Sequence, residues 1–242
     1  MQATCTESMR MAGVEDMQMA AGLFNLAGSL VYDEPQAATL AEQADAHLFA
    51  EVPLGIDDEA VIEGFRLMNR WLEAFSAGAA PELVSAAQRE WLRLFVGVGQ
   101  PEVPSWANFY FDADQRVFGR ETLRVRETYR SFGVEIEGLN HEPDDNLGLM
   151  LKFLGYLMAR EGRAADADES ARMRLAQTVL LKDHVLPWIS LWRYEGVKHA
   201  RDDYFRGAIL FVFGLIRWRA SALGFAYKTE IESFAIGKDV QR

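Results

Sequence analysis

Cysteine is almost absent from this chain. A single Cys5 in 242 residues excludes a disulfide scaffold and a cysteine-built metal cluster. Histidine is scarce as well: four residues, at 47, 141, 184 and 199, are too scattered to suggest a compact ligand motif, so neither a metal nor another cofactor is expected. Bases are outnumbered, 25 Lys and Arg against 36 Asp and Glu, for a net charge of −11 and a pI near 4.9. Phosphate recognition needs clustered bases, so a nucleic-acid partner is excluded and a basic partner is favoured. Long apolar runs are missing too. The longest, residues 208–216, is closed by Arg217 and Arg219, well short of the ~20 residues a spanning helix needs, so no stable membrane insertion is expected. Glu7, Glu15 and Asp16 precede the apolar stretch 17–31 and have the wrong sign for an export leader, which makes cytoplasmic residence the expectation.

What is present is a composition of 50% apolar and 25% charged residues, the balance of an ordinary globular protein. The acids are unevenly placed. Residues 133–170 hold nine acids and three bases, whereas 193–242 hold six acids and nine bases. The acidic stretch is a candidate docking surface for a cation.

Nearly every long segment repeats its apolar residues with the helical period, and none alternates as a strand would. The prediction is an all-α fold, a compact bundle of about ten helices. Leu23, Ala27, Leu30 and Val31 make one stripe, which stops at Tyr32-Asp33-Glu34-Pro35 because proline disfavours helix in the residue before it. A weaker helix follows over 36–50. Val61, Phe65, Met68, Leu72 and Phe75 give the cleanest amphipathic signal. A helix carrying Trp91, Leu94 and Phe95 then runs into 97–104, where two glycines and two prolines forbid regular structure. Residues 108–112 read as extended. Further helices are predicted over 119–132, from about 144, over 170–185, after Pro187, over 202–223 and over 226–235. The chain reads as one helical domain, with 133–143 the most plausible joint between sub-halves 1–132 and 144–242; exchange of halves there would give a domain-swapped dimer in place of a monomer.

Most catalytic readings fail on the residues. Gly97-x-Gly99 follows a helix, lacks a third glycine and sits in no βαβ unit, and no Gly-x-Ser-x-Gly occurs. Asp144-Asp145 and Asp202-Asp203 suggest halves of a magnesium-diphosphate site on a helical prenyl or diphosphate transferase. Gly148 and Arg206 stand where each third carboxylate would be, and helix-start aspartates explain both pairs. Arg124, Arg126, Arg217 and Arg219 read as ordinary surface bases.

Residues 89–158 are different. They hold Trp91-Leu92-Arg93-Leu94-Phe95-Val96-Gly97, then Pro104-Ser105-Trp106-Ala107-Asn108-Phe109-Tyr110, then Val117-Phe118-Gly119-Arg120-Glu121, then Glu142-Pro143-Asp144-Asp145-Asn146. In order and spacing this middle third resembles the redox-enzyme maturation chaperones of the TorD/DmsD type. The last segment resembles the family's Glu-Pro-x-Asp-His signature with Asn146 in place of His, and Ser105 replaces a proline before Trp106. The resemblance implies a cytoplasmic, non-enzymatic chaperone. It would bind the twin-arginine signal peptide of a molybdenum-cofactor reductase subunit and hold that subunit for cofactor loading before export. The peptide-binding residues it implies are Trp91, Leu94, Phe95, Trp106, Tyr110, Gly119, Glu142, Asp144, Asp145 and Asn146. A twin-arginine peptide offers two guanidinium groups and an apolar run, so carboxylates beside an aromatic groove suit it, with Asp144 and Asp145 expected to take the arginines. Since an amide does not titrate, Asn146 should add no pH dependence to binding between pH 6 and 8. An adaptor that grips only the folded body of its client is the further alternative.

Overall fold

A computed structural model describes residues 2–76, 80–97, 99–136 and 142–225, with side chains from residue 13 onward. Within it lie ten α-helices and no extended strand: α1 Gln2–Tyr32, α2 Ala37–Asp45, α3 Glu59–Ala74, α4 Ala80–Trp91, α5 Ala107–Phe111, α6 Arg120–Ser131, α7 Leu147–Gly162, α8 Ala167–Val179, α9 Ile189–His199 and α10 Asp203–Ala222. The all-α bundle of about ten helices read from periodicity is the fold observed. The helix expected over 226–235 lies outside the described residues, as does part of the 133–143 joint.

Short polar side chains start the helices. Asp58 accepts from the Ala60 and Val61 N–H groups, Asn146 from Gly148, Asp166 from Glu169 and Asp202 from Phe205. Two helices end in a π-helical turn, Leu92–Val96 after α4 and Leu180–Val185 after α8, each closed by an i→i+5 bond, Gly97 N–H to Leu92 and Leu186 N–H to Leu181. Gly97 ends the first of them at φ +74°, a left-handed conformation that favours glycine, and turns the chain into the 99–106 loop.

Two long antiparallel-packed pairs organise the core, α1 on α7 and α3 on α10. Both approach closely at glycines. A β-carbon on Gly148 would sit 2.6 Å from both the Gly28 carbonyl oxygen and the Tyr32 Cβ, and one on Gly207 would sit 2.6 Å from the Gly64 carbonyl oxygen. Between the pairs lies one continuous apolar cluster that includes Phe24, Met68, Leu151, Trp192, Phe205 and Phe211, each all but fully buried. α1 and α7 come from opposite sides of 133–143, so the core is continuous across that segment. Gly148→Ala should cost roughly 1–3 kcal/mol, since backbone must move to admit the methyl group; an unchanged midpoint of urea unfolding would contradict the close approach.

Two differences from the sequence reading have identifiable causes. Residues 107–111 form a short helix instead of an extended segment, because its N-terminus is capped by a residue far away in the chain: the Asp145 carboxylate accepts the Asn108 N–H at 2.5 Å. Two arginines read as surface bases are internal or partly so. Arg219 is buried between Glu161 and Gln177 at 2.9 and 2.6 Å, and Arg126 is paired with Asp144.

Candidate functional site

The signature segment 142–146 is laced to the 104–107 loop as a two-residue antiparallel bridge between Trp106 and Asn146. Ala107 N–H donates to the Asp145 carbonyl at 3.0 Å, and Leu147 N–H to the Ser105 carbonyl at 2.7 Å. α7 therefore starts at Leu147, three residues later than Asp144, because the Asp145 carbonyl and the Leu147 N–H are committed across the bridge and the Asp144 carbonyl to the Tyr129 hydroxyl. Asn146 does two things at once: its Oδ1 caps α7 by accepting Gly148 N–H at 2.8 Å, and its Nδ2 donates to Glu142 Oε1 at 2.9 Å. The same Glu142 oxygen accepts the Trp106 indole N–H at 2.8 Å. Asn146→Ala should lower stability by about 1 kcal/mol, the usual value of an N-cap; thermal melting would show it.

Neither aspartate faces water. Asp144 is buried, and its Oδ2 accepts both Nε and Nη2 of Arg126, at 2.9 and 2.7 Å, while its backbone carbonyl takes the Tyr129 hydroxyl at 2.9 Å. Asp145 is fully buried under α5 and beside α6. Burial pushes its carboxyl up to about 6, with the neighbouring Glu121 charge acting in the same direction and the Asn108 N–H opposing both. Glu121 is itself buried, bonded to His184 from the second π-helical turn and to Arg124 at 3.0 Å. Gly119 adjoins this cluster: the Asn108 side chain fills the space a β-carbon would need, and Asn108 holds the Glu121 N–H at 3.1 Å and the Arg116 carbonyl at 2.8 Å.

Of the remaining predicted residues, Leu94 and Phe95 belong to the core; Phe95 stacks on Trp192 with centroids 6.1 Å apart. Tyr110 stacks on Trp188 at 4.6 Å and donates its hydroxyl to the Pro104 carbonyl at 2.8 Å; burial raises its phenol far above the ordinary value. Five of the ten, Trp91, Trp106, Tyr110, Gly119 and Glu142, are half-exposed, and Trp91, Trp106 and Glu142 among them lie toward the last turn of α1. The Trp91 indole donates to the Val31 carbonyl at 3.0 Å, and Trp106 and Glu142 are joined to each other. The Tyr32 phenol is raised first by burial and then by the negative charges of Glu142 and Asp33, which places both carboxylates within electrostatic reach of its ring. Trp91 reaches the last turn of α1 directly, and Trp106 and Glu142 are tied through Asn146 to the start of α7, where Gly148 approaches Tyr32; Leu94, Phe95, Asp144, Asp145 and Asn146 are buried, and Gly119 lines a separate open pocket with Asn108, Asp112 and Arg116. Tyr32 and Asp33, which the sequence marks only as a helix end before Pro35, are neighbours of this group that no motif singled out.

Among the described residues no cluster of three or more His, Cys, Asp or Glu is arranged to hold a metal ion. Asp202 caps α10 and Asp144 is held by Arg126, so neither aspartate pair offers two open carboxylates. No helix among the described residues is long and apolar enough to cross a membrane.

A family model described as the nitrate reductase delta subunit matches residues 58–193, which includes the bridge, the loop and both π-helical turns. The chain belongs to that family. Among curated proteins, the Tat proofreading chaperone DmsD of Salmonella paratyphi A is 28% identical over 134 residues, 55% of this chain and 60% of its own length. The probable Tat proofreading chaperone DmsD of Haemophilus influenzae is 24% identical over 127 residues, 52% of this chain and 57% of its own. The chaperone protein TorD of a Psychrobacter species is 24% identical over 121 residues, 49% of this chain and 52% of its own. The chain spans about half to three fifths of the length of the relatives it matches. The expected resemblance to the TorD/DmsD chaperones holds, and these relatives are named as chaperones, not as enzymes.

Proposed function

We propose that this protein is a cytoplasmic chaperone that binds the twin-arginine signal peptide of a molybdenum-cofactor reductase subunit and holds it for cofactor loading before export. The observation that carries the proposal is the half-exposed set Tyr32, Asp33, Trp91, Trp106 and Glu142 at the end of α1, where carboxylates and rings lie side by side in a chain related to Tat proofreading chaperones. Guanidinium groups favour carboxylates and aromatic faces, and the apolar run of a leader favours the rings.

In this proposal Trp91, Trp106 and Glu142 touch the peptide. Leu94, Phe95, Tyr110, Gly119, Asp144, Asp145 and Asn146 hold those three in place from behind. Asp144→Asn, which weakens a charged pairing of a largely buried arginine, should lower the melting temperature yet leave the dissociation constant of the folded protein unchanged. Trp91→Ala should weaken binding.

The deciding experiment is calorimetric titration with a synthetic twin-arginine leader. Binding that weakens when both arginines become glutamine, and that weakens with added salt, supports the reading. Binding to the leaderless subunit with none to the leader would establish an adaptor instead.

A further inference from the structure

The α1 end carries a feature that none of the sequence motifs marks. Between α1, α2 and the start of α10 lies a cavity of about 440 Å³ whose apolar wall is formed by Leu26, Leu30, Leu40, Tyr204 and Phe205. Its lip is the Asp33-Glu34-Pro35 segment, with both carboxylates exposed to solvent. The cavity adjoins the Trp91 helix: Gln88 on α4 donates to the Pro35 carbonyl at 3.2 Å, and Trp91 one turn later donates to Val31 at 3.0 Å.

The electrostatics of the lip are uncompensated in a specific way. α1 ends there with no basic residue in its last turn, so the negative end of its dipole adds to the charges of Asp33 and Glu34. Among the described residues, the cation seated on Asp33 is Lys152 of α7, at 2.8 Å, partly in solvent and also lying 5.0 Å over the Tyr32 ring. An exposed pair of this kind is worth little and exchanges readily. A guanidinium offered by a ligand would make two parallel hydrogen bonds where the ammonium makes one, and would stack on the same ring.

We propose that this cavity is the seat of the leader's apolar run and that Asp33 and Glu34 are its arginine receptors, with Lys152 the internal cation that the first arginine displaces. The proposal rests on the signal-peptide reading above and names the part of the surface that performs it. The volume suits two or three aliphatic side chains of one helical turn, and the acidic lip lies where residues just ahead of that turn would fall. Charge selects the occupant: a leader with two bases before an apolar run binds best, an uncharged apolar segment binds more weakly, and an acidic one is repelled.

The test is titration of a synthetic peptide with two adjacent arginines followed by an apolar run, and of the same peptide with glutamines in their place. Asp33→Asn with Glu34→Gln should weaken the arginine peptide at least tenfold and the glutamine peptide less than twofold. Lys152→Gln should tighten the arginine peptide severalfold, a gain that no folding defect can produce. Thr39→Trp, placed at the exposed rim of the cavity, should weaken both peptides, with circular dichroism confirming the fold. If neither peptide binds the unaltered protein, the signal-peptide reading itself falls. If the arginine peptide binds and responds to Trp91→Ala while the Asp33/Glu34 and Lys152 variants leave it unchanged, only the assignment of the cavity is overturned.

Discussion

Trp192→Ala should destabilise the protein by about 4 kcal/mol, among the largest effects of any single truncation here. The ring is wholly buried on α9, stacks on Phe95 of the first π-helical turn and donates its indole N–H to the Ser105 hydroxyl at 3.2 Å. Removing it opens a cavity too large to collapse and takes away the donor to the hydroxyl of Ser105, a residue at 0% exposure that keeps only its long bond to the Val103 carbonyl. For a domain of this size that corresponds to roughly a 10 °C fall in melting temperature. The consequence for binding follows from connectivity. Ser105 is one end of the bridge that fixes Trp106, so a loosened Ser105 lets the Trp106–Glu142 unit drift, and leader affinity measured well below the melting temperature should fall as well. Trp192→Phe keeps a ring on Phe95 and loses only the N–H, so it should fall between wild type and the alanine variant on both scales. If the alanine variant melts within 2–3 °C of wild type, a shift of about 1 kcal/mol, α9 is not the support of this loop.

The helices were legible because each buries one face, and a face leaves a 3.6-residue signature in any single segment. Val61, Phe65, Met68 and Leu72 are all buried along α3, as their spacing predicted. The α5 helix was not legible, since five residues carry too little pattern and its cap is Asp145, thirty-seven positions away. The π-helical turns leave no periodic mark either. Of the motif residues, Trp91 is bonded to Val31 at the end of α1, and Trp106 and Glu142 are bonded to each other. What the motif could not convey is the direction in which each side chain faces. Adjacent Asp144 and Asp145 look from the sequence like a solvent-facing acidic pair, yet Arg126 from α6 and the N-terminus of α5 claim them first. Conversely, Tyr32-Asp33-Glu34-Pro35 reads as a helix stop, and only the packing of α2 and α10 against it makes a cavity there.

Asp145 supplies the second large effect, as a dependence on pH. Its carboxyl is pushed up to about 6 in the folded chain by burial, whereas in the unfolded chain it titrates near the ordinary aspartate value of about 3.9. Between those two values the native state holds a proton that the unfolded state has released. Raising the pH through that window therefore lowers the stability contributed by this group, and above about pH 6 the loss is complete. The difference between the folded and unfolded values corresponds to roughly 3 kcal/mol. Carboxylates held low by arginine partners, such as Glu102 beside Arg93, act in the opposite direction, but they are common to wild type and variant and cancel in the difference. Asp145→Asn retains an oxygen for the Asn108 N–H and cannot ionise, so the stability of the variant relative to wild type should rise by about 3 kcal/mol between pH 4 and pH 7. Denaturant unfolding of both proteins across that range measures the difference directly. Parallel stability curves would mean that the α5 cap is an ordinary solvated carboxylate, and the bridge that presents Trp106 would then need another anchor.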